Sequence, residues 1–143
     1  MERQEFLKTL GISFAAVCVG SCISACKKDA VPPAPTPPAG TVLSANLSDL
    51  STIGTKVIVS GVAFFRIAEG NMASSFIATQ SLCTHQNGDL NWIQSSNLIQ
   101  CNAHLAQFNA SGVNTRAPQG GGSARNLKTF VVTVNATTVT ATV

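Results

Sequence analysis

The feature that most constrains this chain is a pair of short motifs. Cys83-Thr84-His85 is followed, after residues 86 to 100, by Cys101-Asn102-Ala103-His104. The protein has only two histidines, and each stands two or three positions after a cysteine. Thiolate and imidazole are the side chains that soft and borderline metals bind most readily. A Cys-x-His pair and a Cys-x-x-His pair therefore point to two loops converging on one metal centre.

Three chemistries compete for these residues. Of the five cysteines, Cys18, Cys22 and Cys26 lie near the N-terminus, leaving Cys83 and Cys101 to the later domain. In an exported protein two such cysteines ordinarily form one disulfide, giving a metal-free structural β-domain. That reading leaves both histidines unexplained. A tetrahedral zinc site would use all four residues, although structural zinc sites usually space their cysteines only about two to four residues apart. A Rieske [2Fe–2S] centre divides the same residues differently, with two cysteines on one iron and two histidines on the other.

The N-terminus reads as an address. Residues 1–26 start with Glu2, Arg3, Glu5 and Lys8, then run apolar from Leu10 to about Ile23. The run is short for a membrane span and has the anatomy of a secretory signal. Its end, Ile23-Ser24-Ala25-Cys26, resembles a bacterial lipobox, in which Cys26 is the residue that takes the lipid. Val19-Gly20-Ser21-Cys22 fits the same pattern and makes Cys22 the alternative. Arg3-Gln4-Glu5-Phe6-Leu7-Lys8 is similar to the twin-arginine export motif, with Gln4 in place of the second arginine. Residues 27–39 form a linker whose Val31-to-Ala39 segment is proline-rich. Proline favours an extended polyproline path of about 3.1 Å per residue, so this segment is a semi-rigid spacer of roughly 28 Å. The expected layout is an exported lipoprotein, tethered to a membrane in the bacterial periplasm or at the cell surface.

Residues 40–143 read as one all-β domain. Short apolar runs alternate with Gly, Asn, Ser and Asp, and no long amphipathic helix appears. Strands are expected over 55–60, 62–67, 75–82 and 97–100, the last two leading into Cys83 and Cys101. Residues 127–143 read as a closing hairpin, with Phe130, Val132 and Val134 alternating on one strand and Val139, Ala141 and Val143 on the next. Gly112 suits a tight turn, and the glycine-rich run from Pro118 to Ser123 lacks a phosphate-binding fingerprint. The expected fold is a small antiparallel sandwich or barrel. Lys56, Arg66, Arg116, Arg125 and Lys128 face Asp49, Glu69 and Asp89, a surplus of two positive charges. So thin a field gives no case for nucleic acid. No general acid, base or nucleophile constellation is apparent, so a stand-alone enzyme is not expected.

The Cys-His spacing resembles that of the Rieske family, and the resemblance extends beyond the motif. Leu47-Ser48-Asp49-Leu50, Leu90-x-Trp92, Phe108, Gly112-Val113, Ala117-Pro118 and Leu127 to Val134 are similar to residues that such domains carry. The resemblance implies a Rieske-like fold with a two-loop cluster-binding subdomain and a [2Fe–2S] cofactor. Its ligands would be Cys83, His85, Cys101 and His104, and its partners a redox donor and acceptor that the residues do not name. An alternative within the family is the iron–sulfur subunit of a cytochrome bc-type quinol-oxidising complex. Quinol-oxidising members brace the loops with a disulfide, whose positions here are Gly88 and Ala103. Many members place hydroxyls after the second histidine, where this chain has Leu105-Ala106-Gln107-Phe108. Hydrogen bonds to sulfur stabilise the reduced cluster, so their loss implies a low potential. Leu105 stands where glycine is usual and is expected to strain the loop.

Overall fold

The computed structural model of the chain describes residues 37–143. The expected signal peptide over residues 1–26, with Cys22 and Cys26, and residues 27–36 of the expected linker lie outside the described residues. Among the described residues, no helix is long and apolar enough to cross a membrane.

Ten strands run in chain order: β1 (Val42–Asn46), β2 (Lys56–Val59), β3 (Val62–Arg66), β4 (Phe76–Gln80), β5 (Leu90–Ile93), β6 (Leu98–Cys101), β7 (Gln107–Phe108), β8 (Asn114–Arg116), β9 (Thr129–Val134) and β10 (Thr138–Thr142). They form a six-stranded sheet ordered β1-β10-β9-β4-β3-β2 and a four-stranded sheet ordered β5-β6-β7-β8. All pairings are antiparallel. The larger sheet curls until its edge strands β1 and β2 come into contact, which makes it a nearly closed barrel. The all-β antiparallel reading of the sequence is borne out.

β3 joins the two layers. All five of its residues are buried, because successive strand side chains point to opposite faces and both faces are covered here. Val62 and Phe64 enter the barrel with Ala45, Leu50, Phe76 and Val139. Ala63 and Phe65 face a second core with Leu90, Trp92, Ile99 and Phe108. Phe64, Phe65 and Phe108 are fully buried, and each such side chain contributes on the order of 1.5–3 kcal/mol. Arg66 ends the strand inside the protein. Its Nη1 donates to the Leu50 carbonyl at 3.0 Å and its Nη2 to the Gly70 carbonyl at 2.9 Å. The guanidinium carbon stands 5.1 Å from the Phe76 ring centroid.

Local chemistry sets the strand ends. β2 and β3 are joined by Ser60-Gly61, both at positive φ (45° and 82°), the backbone that a two-residue hairpin turn demands. The segment expected over 75–82 narrows to Phe76–Gln80. Ala73–Ser75 winds into a 3-10 turn before it, and the Ser81 N–H turns to the Gly61 carbonyl after it. Asn97 takes φ 53° in the preceding turn, so β6 begins at Leu98 and carries Cys101 within it. The closing hairpin follows the expected alternation. Phe130, Val132 and Val134 are partly buried between exposed Thr129, Val131 and Thr133, and Val139 and Ala141 are buried on β10.

Candidate metal centre

Two loops leave the four-stranded sheet at one end, and they are copies of one backbone design. In the first, the Cys83 N–H donates to the Gly88 carbonyl at 2.9 Å and the Asn87 N–H to the Cys83 carbonyl at 3.0 Å. In the second, the Cys101 N–H donates to the Ala106 carbonyl at 2.9 Å and the Leu105 N–H to the Cys101 carbonyl at 3.0 Å. Each loop thus spans from a cysteine to the fifth residue after it. The fourth residue is left-handed in both, with φ 54° at Asn87 and 55° at Leu105. Leu82 and Asp89 bridge to close the first loop, and Leu90 pairs with Cys101 between β5 and β6. The Asn102 N–H donates to the Asp89 carbonyl at 2.9 Å and pins one loop to the other.

This framework brings all four sequence-selected residues into one region. Cys83 and Cys101 are both 1% exposed, and both are free thiols. The His85 and His104 rings meet edge to face with centroids 4.8 Å apart. Burial pushes the Cys83 thiol up to about 11. The adjacent Cys101 sulfur adds to that rise, while backbone N–H groups of His85 and Gln86 donate to the Cys83 sulfur and oppose it.

The donor set fits a two-iron cluster. His85 Nδ1 and His104 Nδ1 are buried and have no hydrogen-bond partner. Buried polar atoms in native proteins are paired as a rule, so two orphaned imidazole nitrogens facing the same region are unexplained without a ligand. Among the described residues, no three His, Cys, Asp or Glu side chains gather tightly enough to hold one metal ion. A [2Fe–2S] cluster asks for no such group, because its ligands divide into a cysteine pair and a histidine pair on different irons.

Close approaches hold the loops together. A Cβ added to Gly88 would stand 2.6 Å from Cys101 Sγ and 2.9 Å from Ala103 Cβ. Gly88 and Ala103, the positions that the resemblance matches to the bracing disulfide of quinol-oxidising members, therefore face each other, and here the loops meet by direct contact. Ala106 and Phe108, at the positions of the missing hydroxyls, are fully buried. Trp92 is a packing residue, 7% exposed within the core between the layers, its Nε1 donating to Gln94 Oε1 at 3.1 Å.

Three supports escaped the sequence reading. The glycine-rich run folds back over the histidines: the Gln119 N–H donates to the His104 carbonyl at 2.7 Å, and a Cβ at Gly122 would stand 2.8 Å from His85 Nε2. Three consecutive glycines are a signal of close backbone approach, though they do not say to what. Thr84 Oγ1 donates to the Arg125 carbonyl at 2.6 Å. Lys56 on β2 reaches across to the cluster-side sheet, its Nζ 2.5 Å from Asp89 Oδ1 and 2.7 Å from the Leu90 carbonyl.

Comparison with known proteins agrees with this geometry. The family model described as the Rieske [2Fe-2S] domain matches residues 41–131. No match is found among curated proteins. Among solved structures, the chain is similar to the plasma membrane Rieske protein PetC3 of the cyanobacterium Synechocystis PCC 6803. The TM-score is 0.52 at 24% sequence identity, covering 69% of this chain and 99% of that one. That likeness speaks for the fold, and the family match spans well over half of the sequence. With loops, ligand types and family match in accord, the chain belongs to the Rieske [2Fe–2S] domain family, whose members bind a [2Fe–2S] cluster.

Proposed function

We propose that this protein is an exported, membrane-tethered lipoprotein that carries single electrons at low potential. Cys83 and Cys101 hold one iron as thiolates, and His85 and His104 hold the other through Nδ1. The observation that carries this assignment is the pair of buried imidazole Nδ1 atoms without partners, in loops that also bear the two buried free thiols. When bound, the cluster supplies reversible one-electron chemistry. The chain's own residues shield the sulfur side with Leu90, Ile99 and Phe108 and keep the histidines half-exposed, toward solvent and a docking partner.

The low potential rests on what surrounds the sulfurs. Ala106 and Phe108 are fully buried there and carry no hydroxyl, so neither can donate to the cluster. The Rieske range is about −150 to +300 mV, and the lower half of it suits this site. A potential in that half favours a ferredoxin-like carrier over a subunit that draws electrons from a quinol pool. Lipid attachment at Cys26, with Cys22 as the alternative, is supported by the lipobox-like sequence before each. Donor and acceptor are protein partners, and any enzymatic role is that of an electron-carrying subunit.

Iron and acid-labile sulfide counts on the purified full chain test the cluster. Two of each per chain are expected. A single zinc, or neither element together with a Cys83–Cys101 disulfide, would overturn the assignment. A midpoint well above about +150 mV would overturn the low-potential reading and favour the quinol-oxidising class.

A further inference from the structure

A cavity of about 420 Å³ adjoins the first ligand loop. Cys83, Thr84 and Asn87 contribute to its wall, together with Arg125, Asn126 and Lys128. Two of the five basic residues in 40–143 therefore line it, and none of the three acidic ones does. Among the described residues the one ion pair is Lys56 with Asp89, so neither Arg125 nor Lys128 has a carboxylate partner. Lys128 Nζ stands 5.1 Å from the Phe130 ring centroid, a contact that leaves its N–H groups available. Asn126 accepts the Asn114 N–H through Oδ1 at 2.9 Å, which leaves its amide NH₂ as a donor. Gln80, also in the wall, is engaged at both ends: Nε2 donates to the Leu82 carbonyl at 2.7 Å, and Oε1 accepts the Lys128 N–H at 3.0 Å. Arg125, Lys128 and the Asn126 amide thus supply two cations and a donor, and no acidic residue lines the wall.

Such a lining suits an oxyanion, and the lack of a backbone nest favours a carboxylate. A guanidinium presents a planar fork that matches the oxygens of a carboxylate or a phosphate. Phosphate sites typically rely on backbone N–H groups at helix N-termini or in glycine-rich nests. The glycine run 120–122 does not line this cavity. The cavity is also tied to the metal centre, because Cys83 forms part of its wall and Thr84 Oγ1 is bonded to the Arg125 carbonyl.

We propose that this cavity is a carboxylate-binding subsite coupled to the redox state of the centre. The carboxylate comes either from a free polycarboxylate or from an acidic segment of the redox partner. A negative charge beside Cys83 opposes the arrival of an electron, so the oxidised form binds the anion more tightly. Linkage makes the effect reciprocal, and a bound anion lowers the midpoint potential.

Titration calorimetry of the full holo chain at constant ionic strength tests this with two probes, citrate and a hexaglutamate peptide. Saturable binding is expected, weakened at least tenfold in R125Q/K128Q. Both side chains are exposed, so an unchanged melting temperature checks that the variant folds. Citrate binding identifies a free polycarboxylate as sufficient, and binding of the peptide alone identifies an acidic partner segment. Binding of neither, or equal binding by R125Q/K128Q, overturns the subsite. The second readout is the midpoint at saturating probe, where a tenfold preference for the oxidised form reads as a fall of about 59 mV. An unchanged midpoint overturns the coupling. That readout rests on the cluster assignment and the calorimetric one does not, so iron and sulfide counts on the same sample separate the two. Two irons without probe binding defeat the subsite, and probe binding without iron defeats the cluster.

Discussion

Asn87 and Leu105 hold the same place in two copies of one loop, at φ 54° and 55°, each donating its N–H to the carbonyl of the cysteine four residues before. Asn visits the left-handed region readily, whereas a bulky residue there pays roughly 1–2 kcal/mol. The second loop has therefore kept the bend that glycine usually provides and stores strain at Leu105. Giving it the residue of its twin, Leu105→Asn, is expected to raise stability by about 1 kcal/mol. Leu105→Val, β-branched at the same φ, is expected to lower it by at least about 1 kcal/mol. Urea denaturation of the two variants checks both, and iron retained after purification should follow the same order.

Ala106 and Phe108 account for the proposed low potential only if hydroxyls there would raise it. Ala106→Ser and Phe108→Tyr are each expected to move the midpoint upward by roughly 40 mV, taking about 1 kcal/mol of preference for the reduced state per hydrogen bond. Voltammetry of the single and double variants measures this. Unchanged midpoints in all three would remove the explanation.

Burial of Cys83 has a pH signature in the apoprotein. Its thiol is raised from 9.0 to about 11, mainly by desolvation. A group whose folded pKa is raised favours folding most below its unfolded value, and that contribution is lost as pH climbs through the folded value. Apoprotein stability is therefore expected to hold up to about pH 9 and to fall between pH 9 and about 11. Denaturation of the apoprotein across this range should show a smaller fall for Cys83→Ala than for the parent chain.

Lipid attachment is expected at Cys26. Labelling cells with a tagged fatty acid should mark the parent protein and leave Cys26→Ser unmarked. Label that persists in Cys26→Ser and disappears in Cys22→Ser would move the anchor to Cys22.

The site was legible because its chemistry is concentrated in few residue types. The only two histidines each stand two or three positions after a cysteine, which marked the two loops that the structure brings together. The closing hairpin was legible because Phe130 to Val134 alternates with period two. Other features carry no local signal. The two- and three-residue strands Gln107–Phe108 and Asn114–Arg116 are too short for periodicity, and they exist because they complete the sheet beneath the loops. β3 reads as a strand, but its apolar run does not disclose that Val62 and Phe64 serve one core while Ala63 and Phe65 serve another. The Lys56–Asp89 pair spans 33 residues, and its partners become neighbours only once the four-stranded sheet packs against the larger one. Gly122 beside His85 is a similar case, since a glycine run announces an approach without naming its target.

In the proposed centre one iron is held by the cysteine pair and the other by the histidine pair. Mössbauer spectroscopy of the oxidised, ⁵⁷Fe-loaded protein tests it most directly, because the two iron environments differ in their ligands. Two distinct doublets of equal area are expected, one for sulfur-only coordination and one for mixed nitrogen and sulfur coordination. A single doublet, from irons in one kind of environment, would contradict it.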